Sequence, residues 1–272
     1  MYVLYQNKYS NYLSLNLINV RYAKNNNLLE KDFAIRLNNI CPLNANDVIT
    51  FKLYLFLGSI ASLNGLRDDI LVIDTNDITN TLKVSKKAYI VNSLEYLKAI
   101  EFKYNYYISK NENSNKWKTE IRSCKIIDSY TISKGYIKVK LNHDYIRLLS
   151  YKIKSCKEKQ YVELPKNFFA IDIKNYKHSA YLYFRICLHR KLCYNKHNLN
   201  IISVKELVKY CPLLPYYEDL GKQKQVSRSI IKPFENNMNY LAKLFNFKWK
   251  YANEITSYIS FINNKICFDF NN

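Results

Sequence analysis

Residues 202–241 read ISVKELVKYCPLLPYYEDLGKQKQVSRSIIKPFENNMNYL. A short amphipathic helix from Ser203 to Tyr210 opens the stretch. A proline-marked turn follows, and then a longer helix expected over Lys222 to Phe245. On that longer helix Val226, Ile230, Phe234, Met238 and Leu241 fall on one face at helical spacing. Lys222, Lys224, Arg228 and Lys232 fall on the other. A rigid helix that is apolar inside and basic outside, docked by a shorter partner, has the shape and charge to lay side chains in a major groove. Pro233 lies within it, lacks an N–H and would bend or split it there.

Two β segments follow, Phe247–Tyr251 and Tyr258–Phe270. Ile259, Phe261, Ile266, Phe268 and Phe270 alternate about Asn263-Asn264, which is expected to be a two-residue turn because Asn tolerates positive φ. His178 to Tyr194 supplies a first helix before the pair. Three helices followed by a hairpin is the order of a winged helix.

The first half shows the same layout. Asn46 is a suitable N-cap for a helix to about Leu63, which Asn64-Gly65 stops. Ile70–Ile73 reads as a strand. Thr75 caps a helix to Leu82, and Ser85 caps another over Lys86–Ala99, with Ile90, Leu94 and Leu97 on one side. Phe102–Ile108, Trp117–Ile127 and Tyr136–Leu141 read as strands. Tyr2, Leu4, Leu13, Leu15, Leu17 and Val20 suggest further strands within residues 1–42. The repetition of layout without residue identity reads as an internal duplication of architecture. The expected fold is α+β: a winged-helix domain over 1–150, a charged linker over 151–166 ending at Pro165, and a second winged-helix domain over 167–272.

The composition agrees with a polyanionic partner. Among 272 residues, 42 Lys+Arg stand against 22 Asp+Glu, a formal charge of +20. An AT-rich coding sequence raises Lys, but it raises Glu too, so the cation surplus needs another cause. Like-charge repulsion of this size destabilises the fold unless an anion offsets it. An anionic membrane is the weaker alternative, because no basic amphipathic helix with a broad apolar face is visible. With 48% hydrophobic residues a substantial core is expected. Seven irregularly spaced Cys without a CxxC pair imply reduced thiols in a cytoplasmic protein. The N-terminus lacks a signal-peptide layout, and the apolar run near Leu53–Ile60 is too short to span a bilayer.

The second half resembles the C-terminal winged helix of bacterial plasmid replication initiators. The resemblance rests on His178-Ser179-Ala180-Tyr181-Leu182-Tyr183, Leu188-His189-Arg190, Ile202–Leu207, Pro215-Tyr216-Tyr217-Glu218 and above all Arg228-Ser229-Ile230-Ile231-Lys232-Pro233-Phe234-Glu235. It covers about residues 165–245; residues 46–141 match only by layout. The resemblance implies a theta-type initiator that binds repeated origin sites in double-stranded DNA and helps open an AT-rich segment. It implies alternation between a homodimer and DNA-bound monomers; with no catalytic constellation in the residues, no catalysis by the chain itself is expected, and a host helicase and its loader would be recruited.

The candidate DNA contacts are Lys222, Lys224, Gln225, Arg228, Ser229 and Lys232 in the second half. Gln and Arg hydrogen-bond adenine and guanine edges, whereas Lys and Ser suit phosphate. Lys86, Lys87, Tyr89 and Asn92 are their first-half counterparts. Lys116 and Lys265 stand at the two expected wing tips, Asn111–Lys116 and Asn263–Lys265. Against each stands the plainer reading of a solvated face or loop. Phe51, Tyr54, Leu55 and Phe56 on the first long helix are core or interface.

Other chemistries find little support. A nicking rolling-circle enzyme needs a Tyr nucleophile and a metal-binding His pair. Tyr104, Tyr106 and Tyr107 exist, but the four His are not spaced for it. Cys187, His189, Cys193 and His197 are poorly placed for tetrahedral zinc, because residues two apart on a helix face apart. No GxxxxGK[ST] phosphate loop is present. No cofactor is expected. A transcriptional regulator of the same fold and an RNA-binding protein remain as alternatives.

Overall fold

A 19-residue helix, α1 (Ala45–Leu63), is the element around which both halves assemble. From Val48 to Ala61 every residue except Tyr54 is buried, which marks a helix enclosed on all sides. The computed structural model describes residues 12–16, 45–63, 69–99, 101–110, 117–150, 161–192, 199–208, 213–222 and 225–270. The start of α1 lies one residue before the expected cap, and its end is where expected.

The first half continues with β2 (Ile70–Asp74), α2 (Thr75–Leu82) and α3 (Lys87–Ala99). Asp74, not Thr75, caps α2: its carboxylate accepts N–H bonds from Asn76 at 2.7 Å and Asp77 at 3.1 Å. Such a cap contributes about 1 kcal/mol. Lys83 ends α2 in the left-handed conformation, φ 55°. On α3, Ile90, Leu94 and Leu97 are buried as their spacing predicts, and Ser93 joins them. Ser93 Oγ accepts from Thr50 Oγ1 of α1 at 3.0 Å.

A hairpin of β3 (Glu101–Lys110) and β4 (Trp117–Lys125) follows, with a bulge at Tyr107/Ser109. Tyr104, Tyr106 and Tyr107 lie on its first strand. The expected single strand 117–127 breaks at Ile126, which is buried, and a further strand, β5 (Ile127–Ile132), leaves it. A turn through Gly135, φ 90°, returns the chain as β6 (Tyr136–Leu141). Helix α4 (His143–Ser150) closes this half. The sheet order is β2-β6-β5, all antiparallel.

Residues 161–165, expected within the linker, form β7 (Tyr161–Pro165). It pairs antiparallel with β1 (Tyr12–Asn16), from Tyr12 opposite Pro165 to Asn16 opposite Tyr161. The remaining strands expected in residues 1–42 lie outside the described residues.

The second half is α5 (Ser179–Leu192), β8 (Ile201–Ser203), α6 (Val204–Val208), α7 (Leu213–Gly221), a helix over 226–245, β9 (Phe247–Tyr251), α9 (Tyr258–Ile262) and β10 (Lys265–Phe270). Within the helix over 226–245, Lys232–Phe245 is labelled α8. The sheet order is β8-β10-β9. In both halves the last strand of the three-stranded sheet lies between the other two; two helices and the β3–β4 hairpin separate β2 from β5, and three helices separate β8 from β9. The two sheets share one strand order, whereas the helices between their strands do not repeat one for one.

Two expectations here are corrected. Segment 258–262 is helix, not strand. Ser257 caps it and exchanges bonds with Ser260 in a capping box, which fixes the local backbone before the alternation begins. Asn263-Asn264 is consequently no two-residue hairpin turn. Asn264 is 2% exposed, and its amide clamps the backbone of Asn253 by two bonds of 2.8 and 3.2 Å. In addition, a helix stands over 213–221 where only a turn was expected.

The halves share a single hydrophobic core. Phe51 of α1 stacks on Tyr181 of α5 with ring centroids 4.5 Å apart, and meets Phe184 edge-on. Phe56 packs edge-on against Phe169. The α1 aromatics thus form the seam between the halves. Each fully buried side chain of this size contributes about 1.5–3 kcal/mol.

Candidate nucleic-acid interface

The helix after α7 begins at Val226, not at Lys222. Its dihedrals stay right-handed at Val226, Ile231 and Lys232, so Pro233 does not split it. The preceding turn, Ser227–Ile231, widens into a π-turn in which the Lys232 N–H reaches the Ser227 carbonyl. A proline removes one ladder bond and crowds the carbonyl four residues back. The wide turn accommodates both, and such turns recur at functional sites.

Through this turn the inward face is kept. Ile230, Phe234, Met238 and Leu241 are fully buried, and Val226 is half-buried. Phe234 meets Tyr217, Trp249 and Phe261 edge-on. Asn237, 5% exposed, was not foreseen. Its oxygen accepts from the His178 N–H at 3.1 Å and from Ser179 Oγ at 2.9 Å. Its nitrogen donates to the Pro233 carbonyl at 2.7 Å. One amide thereby caps α5 and satisfies the proline turn. His178 beside it is held neutral: burial, with Lys177 adding, lowers its pKa to about 3.

The outward face carries Gln225, Ser227, Arg228 and Lys232, all exposed, with Ser229 half-buried. Lys222 lies just past α7, exposed, 3.9 Å from Asp219, an ion pair worth little in water. Lys224 is outside the described residues. Gln225 and Arg228 line an open cleft of about 1160 Å³. Thr256, Ser257 and Ile259 at the start of α9, and Glu218, Asp219 and Lys222 at the end of α7, line it as well. The cleft is thus cationic and polar on the helix side and carries two carboxylates at the α7 end. Burial raises the Tyr258 phenol, with Glu218 adding to the shift. A methyl group on Gly221 would lie 2.6 Å from the Tyr258 ring, so glycine permits α9 to close on α7. Ile259 on α9 is 69% exposed.

In the first half Lys86, Lys87 and Asn92 are exposed, whereas Tyr89 is half-buried against the core. Lys86 and Lys87 stand at the N-terminal end of α3. Cations there oppose the helix dipole by a few tenths of a kcal/mol each, and a phosphate at that end would relieve both. Lys116 is outside the described residues. Lys265 is exposed, but it opens the central strand β10 opposite Ser203 and does not cap a wing tip. The segment 252–264 occupies that place.

The sequence reading passed over four cations on the sheets. Lys138 and Lys140 alternate with buried Ile137 and Val139 on β6, and Lys248 and Lys250 are exposed on β9. Period-two alternation was legible there. Which face the core would leave outside was not.

Among the described residues no group of three or more His, Cys, Asp or Glu is placed to hold a metal, and no helix is long and apolar enough to cross a membrane. No family model and no curated protein matches the sequence. Among solved structures, the crystal structure of Pi initiator protein in complex with iteron DNA shares the fold. It superposes on 96% of this chain and 98% of its own, with a TM-score of 0.51 and 13% identity.

Proposed function

We propose that this chain is a replication initiator that binds repeated sites in double-stranded DNA through two winged-helix units. The observation that carries the reading is the same three-strand sheet order in both halves, each with an exposed, cation-bearing helix between its first strand and its last two. The +20 charge and the full-length likeness to an initiator solved with its iterons support it.

On this reading Gln225 and Arg228 read base edges in a major groove. Lys86, Lys87 and Lys232 contact phosphate. Lys138, Lys140, Lys248 and Lys250 add to the surrounding field. Binding to adjacent repeats bends the duplex, and the AT-rich flank opens most readily. The chain performs no bond-making step, and a host helicase and loader would take over the opened strands.

Footprinting on the replicon that encodes the chain tests this. Protection of direct repeats beside an AT-rich segment is expected, with permanganate-reactive thymines in that segment. Log affinity should fall with log salt at a slope of about −5 to −9, for about 6–10 neutralised phosphates. Protection without strand opening would point to a transcriptional regulator. A Tyr-linked nick formed with Mg²⁺ would point to a rolling-circle enzyme. A flat salt dependence would remove the electrostatic basis of the reading.

A further inference from the structure

Lys52 lies at the middle of α1 and is 0% exposed. Its Nζ donates to the carbonyl of Leu82, the last residue of α2, at 2.9 Å. It also donates to the carbonyl of Ile171 at 3.3 Å, 119 residues away and in the other half. Leu82 O belongs to a helix end whose carbonyls have no partner within the helix, and a cation is favoured there. Ile171 O belongs to an irregular segment between β7 and α5.

An apolar side chain would fill this position with less difficulty. Burying an amine at a fully enclosed position imposes a desolvation cost, and replacing a buried ionisable group by a hydrophobe of similar volume is often neutral or stabilising. A group of this kind is expected to act through specificity. It penalises every arrangement in which its hydrogen bonds are not made. The aromatic seam around it has no such directionality, since Phe51 on Tyr181 or Phe56 on Phe169 can slide or tilt at small cost. The carbonyl bonds cannot.

We infer that Lys52 is a positioning residue that fixes the angle between the two DNA-reading units, and with it the spacing between the two contact segments of each DNA repeat. The inference rests on the DNA reading given under Proposed function. Two acceptors match the two N–H donors of a neutral amine, so the link persists whether or not Nζ carries its third proton.

The test compares wild type with Lys52→Met and Lys52→Gln on a set of synthetic repeats. One, two or three base pairs are inserted between the two protected segments. Wild type is expected to lose at least tenfold in affinity per inserted base pair. Lys52→Met should bind the parent repeat within a few-fold of wild type while losing most of that discrimination. Lys52→Gln, which keeps one donor, should fall between them. Thermal melting of each variant serves as the fold control.

A spacing profile for Lys52→Met identical to wild type overturns the inference and leaves the DNA reading intact. Failure of both variants to fold also overturns it, because Lys52 would then be a general stability determinant. Wild-type protein that binds none of the repeats overturns the DNA reading, and this inference with it.

Discussion

Helix α3 of the first half and the helix over 226–245 of the second are each the last helix before the closing two strands of their sheet, and they are built differently. The first is a regular 13-residue helix with Lys86 and Lys87 at its N-terminal end and Lys98 in its last turn. The second runs 20 residues through a π-turn and a proline, with Gln225 and Arg228 lining a cleft that α9 also lines. Lysines at a helix end suit phosphate, which is the same everywhere along a duplex. An Arg and a Gln side by side on a braced turn suit base edges. The difference therefore divides the labour of the proposed interface: positioning falls mainly to the first half and reading to the second.

The largest effect should come from the shared core beneath this contrast. Phe234→Ala removes a fully buried ring and should lower stability by about 3–5 kcal/mol. Because α1 joins the halves through one core, calorimetry should still show one transition. Two separated transitions would show that the halves fold independently. Next, Arg228→Ala should weaken binding to the specific repeat by about 1–3 kcal/mol and leave random-sequence binding nearly unchanged. Lys87→Ala should weaken both equally and reduce the salt slope by about 1. Equal behaviour of the two variants in competition assays would erase the proposed division.

Pro233→Ala restores the missing N–H and should let the π-turn tighten into α-helix. Stability should hold or rise, while specific affinity falls by about tenfold as Arg228 turns away from its place. An unchanged footprint would show that the wide turn is incidental.

The smallest effect concerns the seam. Burial lowers the Lys52 pKa to about 7, with Asp172 opposing the shift and Lys83 adding to it. The unfolded chain binds the extra proton between about pH 7 and the ordinary lysine value, so its release on folding makes stability rise with pH across that window. Wild type minus Lys52→Met should therefore climb by at most about 1.4 kcal/mol per pH unit above pH 7. The difference isolates Lys52 from buried phenols such as Tyr145, whose raised pKa has the opposite sign at high pH. A flat difference would mean that Nζ is not held in a desolvated site.

Much of this architecture is present in local pattern. The face spacing of Ile90, Leu94 and Leu97, and of Ile230, Phe234, Met238 and Leu241, identifies two helices and their inward sides, because helical periodicity is set within four residues. The alternation in Tyr136–Leu141 identifies a strand for the same reason. Where the expectation failed, two local signals competed. Tyr258–Phe270 alternates like a strand throughout, yet Ser257 and Ser260 cap a turn of helix at its start. Leu213–Gly221 carries Pro215, which reads as a turn, but proline is tolerated in the first turn of a helix.

From residue order alone come the helix faces, the repeated layout and the surplus of cations, since each is a property of neighbours along the chain or of composition. Tertiary contact decided that residues 161–165 pair with Tyr12–Asn16, that Asn237 caps a helix 58 residues away, and that Lys52 bonds both halves at once. Those partners are distant in the chain. A buried polar group must find a hydrogen bond somewhere, and only the folded arrangement specifies where.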